Sequence, residues 1–153
     1  MLETQAIITY FHFAGIISLF IALWIELLLF RPTISNYFAK IIRKADAIYG
    51  IASGVIMATG FAKLLKYGKG AEYYWHNHLL WGKMLLFTII GILSIVPTIY
   101  FFKWKNEIKA GNDISVPDAK FKQLRRIILI EIIIACLIPL LAVFMARGFG
   151  YVE

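Results

Sequence analysis

A chain of 153 residues that is 61% hydrophobic and only 16% charged, with a mean hydropathy of +0.76, is far more apolar than a soluble domain of that length. Its 16 Lys+Arg against 9 Asp+Glu leave a net charge of +7, and the basic residues flank long uncharged runs, which argues for a lipid bilayer as partner and against nucleic acid. The one cysteine, Cys136, sits in an apolar run, so a disulfide framework and a cysteine-rich metal site are both excluded.

A hydrocarbon core of about 30 Å takes about 20 apolar residues of helix to cross. Four runs of that size predict an all-α, four-helix transmembrane bundle forming a single membrane domain over residues 1–153. The first is Ala6 to Phe30, closed by Arg31-Pro32, where the proline disfavours helix at the residue before it. The second, Ala47 to Leu65, is rich in small residues, among them Gly50, Gly54 and Gly60, which let a neighbouring helix or a flat ligand approach the backbone. The third, Leu79 to Phe102, is preceded by the aromatic stretch Tyr73-Tyr74-Trp75-His76-Asn77-His78; with Trp81, these aromatics suit an interfacial belt. The fourth, Ile127 to Ala146, contains Pro139 as an expected kink. The loop from Asn106 to Lys120 is polar, turn-rich and too short for a domain of its own.

Basic residues set the expected orientation. Arg31, Lys40, Arg43 and Lys44 lie between the first two runs, and Lys103, Lys105, Lys109, Lys120, Lys122, Arg125 and Arg126 between the last two. They outnumber Lys63, Lys66, Lys69 and Arg147 on the other side, so the two richer loops are expected in the cytoplasm and both termini outside. The N-terminus has no basic region and its apolar run is too long for a cleaved signal, so the first span is expected to be retained.

Ionisable residues inside a span are costly and face a bundle interior or a water-filled path, which singles out His12, Glu26, Lys83 and Glu131. His12, Leu19 and Glu26 recur on one face of the first helix, which is therefore expected to point inward. Counted from Phe30 and Phe102, His12 and Lys83 lie at similar depth, so both can meet one buried ligand. Glu26 and Glu131 fall near the cytoplasmic side, with Arg31, Lys44 or Arg125 as expected partners. Haem iron in a bundle is commonly held by imidazole, which makes His12 the leading ligand candidate and His76 the first candidate for a second. His78 suits an interfacial position or, with His76, a small metal site; Arg147 suits a boundary anchor or a propionate partner.

The strings Tyr10-Phe11-His12-Phe13, Lys44-Ala45-Asp46-Ala47-Ile48-Tyr49-Gly50, Ala58-Thr59-Gly60, Tyr74-Trp75-His76-Asn77, Trp81-Gly82-Lys83 and Met145-Ala146-Arg147-Gly148 resemble a bacterial integral membrane family, domain-of-unknown-function family 2214. That resemblance covers nearly the whole chain and implies a four-helix inner-membrane protein. More distantly, the chain is similar to HemJ-type protoporphyrinogen oxidase, a small four-span haem b protein whose first-span histidine falls on His12 and whose lysine falls on Lys83. Arg31 has only a loose counterpart there, because Arg and Pro stand in reverse order here.

Three functional classes follow. The first is a haem b-binding, cytochrome b-like protein of the bacterial inner membrane, with His12 and His76 on iron, Lys83 and Arg147 on propionates or an anionic substrate, and Gly60 beside the ligand, exchanging electrons with a quinone, a porphyrinogen or another redox protein. The second is a proton path, ion path or transporter subunit built on His12, Glu26, Lys83 and Glu131, which with four helices would be completed as a homo-oligomer. The third is an assembly or scaffold protein using the small-residue face of the second span.

Overall fold

The computed structural model describes residues 2–67 and 71–151. In chain order these form α1 (Leu2–Leu29), β1 (Thr33–Ile34), α2 (Asn36–Ala62), a π-helical turn (Lys63–Tyr67), α3 (Ala71–Trp75), α4 (His78–Phe102), α5 (Lys105–Ala110), β2 (Ile114–Ser115) and α6 (Asp118–Ala146). Four helical stretches, Leu2–Leu29, Asn36–Lys66, His78–Ala110 and Asp118–Ala146, are long and apolar enough to cross a bilayer, so the expected four-helix architecture holds. Lys69, read above as an outward-side charge, lies outside the described residues, as does the side chain of Tyr73.

Two boundaries differ from the sequence expectation. α2 starts at Asn36 rather than Ala47, and α6 at Asp118 rather than Ile127. The reason is amphipathicity: in these first turns Ala39, Ile42 and Leu124 are buried while Lys40, Lys44, Lys122 and Arg126 are exposed, so the helix continues where the apolar run has already ended. Ser35 caps α2 through its hydroxyl, and Asp118 places a negative charge in the first turn of α6, where the helix dipole favours it.

The stretch from Asn106 to Lys120 is correspondingly more ordered than a loop. Its β2 pairs antiparallel with β1, Thr33 opposite Ser115 and Ile34 opposite Ile114, and the Val116 amide donates to the Pro32 carbonyl at 2.8 Å. Asn36 ties the same segments together, donating its backbone amide to Asp113 Oδ1 at 2.9 Å and its side-chain amide to the Ile108 carbonyl at 3.0 Å. These contacts close what is called here the loop end. Just beneath them lies an aromatic cluster of Phe30, Phe101, Trp104 and Phe121.

At the opposite, terminal end, the chain after α6 returns to the start of α4. Asn77 is fully buried, accepts from the Leu79 amide at 3.0 Å as the α4 cap, and donates Nδ2 to the Phe149 carbonyl at 3.0 Å; the His78 amide donates to the Gly150 carbonyl at 2.9 Å. Trp75 and Trp81 pack there with ring centroids 5.3 Å apart and both remain half-exposed, as an interfacial belt requires.

Between the ends, α1 packs most closely on α2, and α4 on α6. Gly15 makes the first pairing possible, since a Cβ there would stand 3.0 Å from Ile56 Cγ1 and 3.4 Å from the Ala52 carbonyl oxygen. The core is uneven along the bundle axis. Leu19, Leu23, Ile42, Tyr49, Ile128 and Ile132 are buried in the loop half, whereas the inward residues of the terminal half, such as His12, Thr59, Lys83 and Leu141, are only half-buried.

Candidate functional site

The ionisable residues inside the spans separate into two groups of opposite sign, one in each half of the bundle.

In the terminal half, His12 on α1 faces Thr59 on α2, with Nδ1 and Oγ1 2.8 Å apart. The Thr59 hydroxyl has one hydrogen, and its oxygen lies 2.6 Å from the Val55 carbonyl oxygen one turn back, the geometry of a hydroxyl donating along its own helix. Toward His12 that oxygen therefore accepts, so Nδ1 carries the imidazole proton and Nε2 keeps its lone pair. Gly60 lies along the same ring edge; a Cβ there would be 3.7 Å from His12 Cε1. Lys63, in the π-helical turn, and Lys83, on α4, both act electrostatically on His12. His12 and Lys83 are thus within electrostatic reach of each other, and Lys63 and Thr59 stand with them. In sequence Lys63 counts only among the outward-side cations, and Thr59 carries no charge to single it out. Their signal was the helical spacing of Thr59, Gly60 and Lys63, which puts them on one face of the same turn.

His76, His78 and Arg147 are placed elsewhere. His76 is exposed, donates Nδ1–H to the Glu72 carbonyl at 2.9 Å, and packs its ring edge-on to Tyr151. His78 is exposed at the start of α4, and Arg147 is exposed at the end of α6. The contacts described for these three belong to the terminal cap and do not include His12.

In the loop half, Glu26 on α1 and Glu131 on α6 are 2% and 1% exposed. The electrostatic neighbours of Glu26 are Asp46 and Glu131, which corrects the expectation of an Arg31, Lys44 or Arg125 partner. Because α2 and α6 begin so early, their basic residues sit beyond the level of the carboxylates. Arg43 lies over the Phe102 ring, and Arg125 lies over Phe121 while donating to the Leu27 carbonyl at 3.4 Å. Asp46 is half-buried and accepts from the Thr98 hydroxyl at 2.6 Å, joining α2 to α4. Tyr49 lies within electrostatic reach of both glutamates, with the Ser94 and Ser53 hydroxyls beside its phenol. Asp46 escaped the sequence reading because it stands among basic residues just outside the second apolar run. Its spacing to Tyr49 and Ser53, three and then four residues along one helical face, was the available signal.

Four helices long and apolar enough to cross a bilayer, with Glu26 of α1 and Glu131 of α6 buried in the apolar interior, define a polytopic integral membrane protein. More particularly, the chain belongs to the predicted membrane protein family DUF2214, which matches residues 4–150. No curated protein and no solved structure matches it.

Proposed function

We propose that the protein is a haem b-binding redox protein of the bacterial inner membrane, its loop end in the cytoplasm, with His12 as the residue that would hold the iron. One observation carries this reading: His12 Nδ1 lies 2.8 Å from the Thr59 hydroxyl, which donates to the Val55 carbonyl and so accepts from Nδ1–H, an outer-shell contact of the kind that orients a ligating imidazole and leaves Nε2 for iron. Two features suit the rest of the group: Gly60 leaves the Cε1 edge of the ring uncrowded, and the ammonium groups of Lys63 and Lys83 suit two propionates. Bound there, haem b supplies one-electron exchange, for which a quinone or a second redox protein is the fitting partner. The chain's own residues hold and orient it. His12 would ligate the iron, Thr59 would orient the ring, and Lys63 and Lys83 would hold the acidic edge. His76 would be the candidate for a second ligand and Arg147 for a further propionate partner.

Detergent-purified protein expressed with haem supplied should show a Soret band and sharp α and β bands after dithionite reduction, and His12→Ala should lose them. A change from six- to five-coordinate spectrum in His76→Ala identifies the second ligand. A colourless wild type overturns the reading.

The Thr59→Val variant should keep the cofactor but bind it about 10–100-fold more weakly, the usual cost of losing an outer-shell partner. Its reduction potential should rise, because an imidazole that no longer shares its Nδ1 proton is a poorer donor to ferric iron. Unchanged affinity and potential would show that Thr59 does not orient the ligand.

A further inference from the structure

We propose that Glu26, Asp46 and Glu131 form a proton-accepting store open to the loop end of the bundle and closed toward the terminal end. The proposal does not rest on the haem reading.

Two buried oxygens without a partner carry it. Glu26 Oε1 and Glu131 Oε1 receive no hydrogen bond among the described residues, although both side chains are almost wholly buried. A buried carboxylate oxygen normally has a donor, and one without a donor needs a cation in its place. The charges that reach Glu26 are Asp46 and Glu131, of like sign, and the one that reaches Glu131 is Asp46. Facing this group, α2 contributes Arg43, Asp46 and Tyr49, α4 contributes the Ser94 and Thr98 hydroxyls, and α6 contributes Glu131, with Arg125 at its rim. Both arginines are engaged by rings at the loop end, so neither fills the role. Among the described residues no three acidic or histidine side chains converge closely enough to hold a metal ion. A proton is the cation that needs only one oxygen.

The exposure gradient gives the store its side. Asp46 is half-buried and within electrostatic reach of Arg43, while Glu26 and Glu131 lie deeper. A proton leaving water at the loop end reaches Asp46 first; an O–H bond then forms at Oε1 of Glu26 or Glu131, and that carboxylate becomes neutral. Tyr49 and Ser53 extend the polar face of α2 one step further, after which Ile56 packs against Gly15 and interrupts it before Thr59 and His12. The row of hydroxyls therefore ends inside the bundle, as a store requires and a through-path does not.

The test is infrared spectroscopy of the full chain reconstituted in lipid vesicles, titrated with acid and exchanged into deuterium oxide, beside dye-reported proton flux across the same vesicles. The expected result is a carbonyl band of protonated carboxylic acid that shifts on deuteration, is partly lost in Glu26→Gln and Glu131→Gln, is absent in the double variant, and is accompanied by no flux. Isotopically labelled glutamate should move the same band in the wild-type chain, which keeps the test decisive where a Gln variant does not fold. Absence of the band overturns the proposal, a sodium-dependent band shift replaces the proton with a metal cation, and flux above that of empty vesicles replaces the store with a conducting path.

Discussion

Phe30→Ala is expected to destabilise the bundle by about 3–5 kcal/mol, the range for emptying a buried aromatic site. Phe30 is fully buried where the end of α1 meets α4 and α6, with ring centroids 5.6 Å from Phe101, 6.3 Å from Trp104 and 5.4 Å from Phe121. The three partner rings come from segments that the mini-sheet also holds, so little relaxation is available to fill the space. Each well-formed aromatic pair adds about 0.5–1.5 kcal/mol beyond its area, so Phe30→Leu should recover the volume and not the whole loss. Reversible unfolding in mixed micelles of increasing SDS content measures both variants. A loss below about 1 kcal/mol for the alanine would mean that this cluster does not hold the loop end together.

The second large effect is expected at the other end, from Gly150→Ala. Gly150 has φ +79°, a conformation that costs a non-glycine residue about 1–2 kcal/mol. A Cβ there would also lie 2.7 Å from Leu79 Cγ and 3.0 Å from Asn77 Oδ1, and overpacking of that kind typically costs about 1–3 kcal/mol. Gly148 supplies the control, because it too has positive φ, at +91°, but nothing lies within 4 Å of where its Cβ would stand. Hydrogen exchange should show the amides of His78 and Leu79 losing protection strongly in Gly150→Ala and little in Gly148→Ala. Equal loss in both would assign the effect to backbone conformation alone.

The four spans were legible because a helix that crosses lipid has no polar face to interrupt its apolar run. The early starts of α2 and α6 were not, since Lys40, Arg43 and Lys44, and likewise Lys122, Arg125 and Arg126, lower the average hydropathy of turns that still bury Ala39, Ile42 and Leu124. β1 and β2 are two residues each, too short to show an alternating pattern. Within the site, His12, Lys83, Glu26 and Glu131 stood out as ionisable groups in apolar surroundings. Asp46 did not, because its neighbours in sequence are cations, while its reach to Glu26 and Glu131 is made across helices. Thr59 is polar but uncharged, and its role comes from a contact across helices that spacing along one helix does not display.

The pairing of α1 with α2 and of α4 with α6 joins elements that are consecutive among the four spans. Most of the interhelical surface is therefore local in sequence, and each pair can form as a hairpin while the other half of the chain is still being synthesised. His12 and Thr59 belong to one hairpin and meet as soon as it closes. Glu26 and Glu131 belong to different hairpins and become neighbours only when the two dock. Biogenesis thus sets the His12–Thr59 contact when the first hairpin closes, whereas Lys83 joins that site, and Glu131 joins Glu26 and Asp46, only when the hairpins dock.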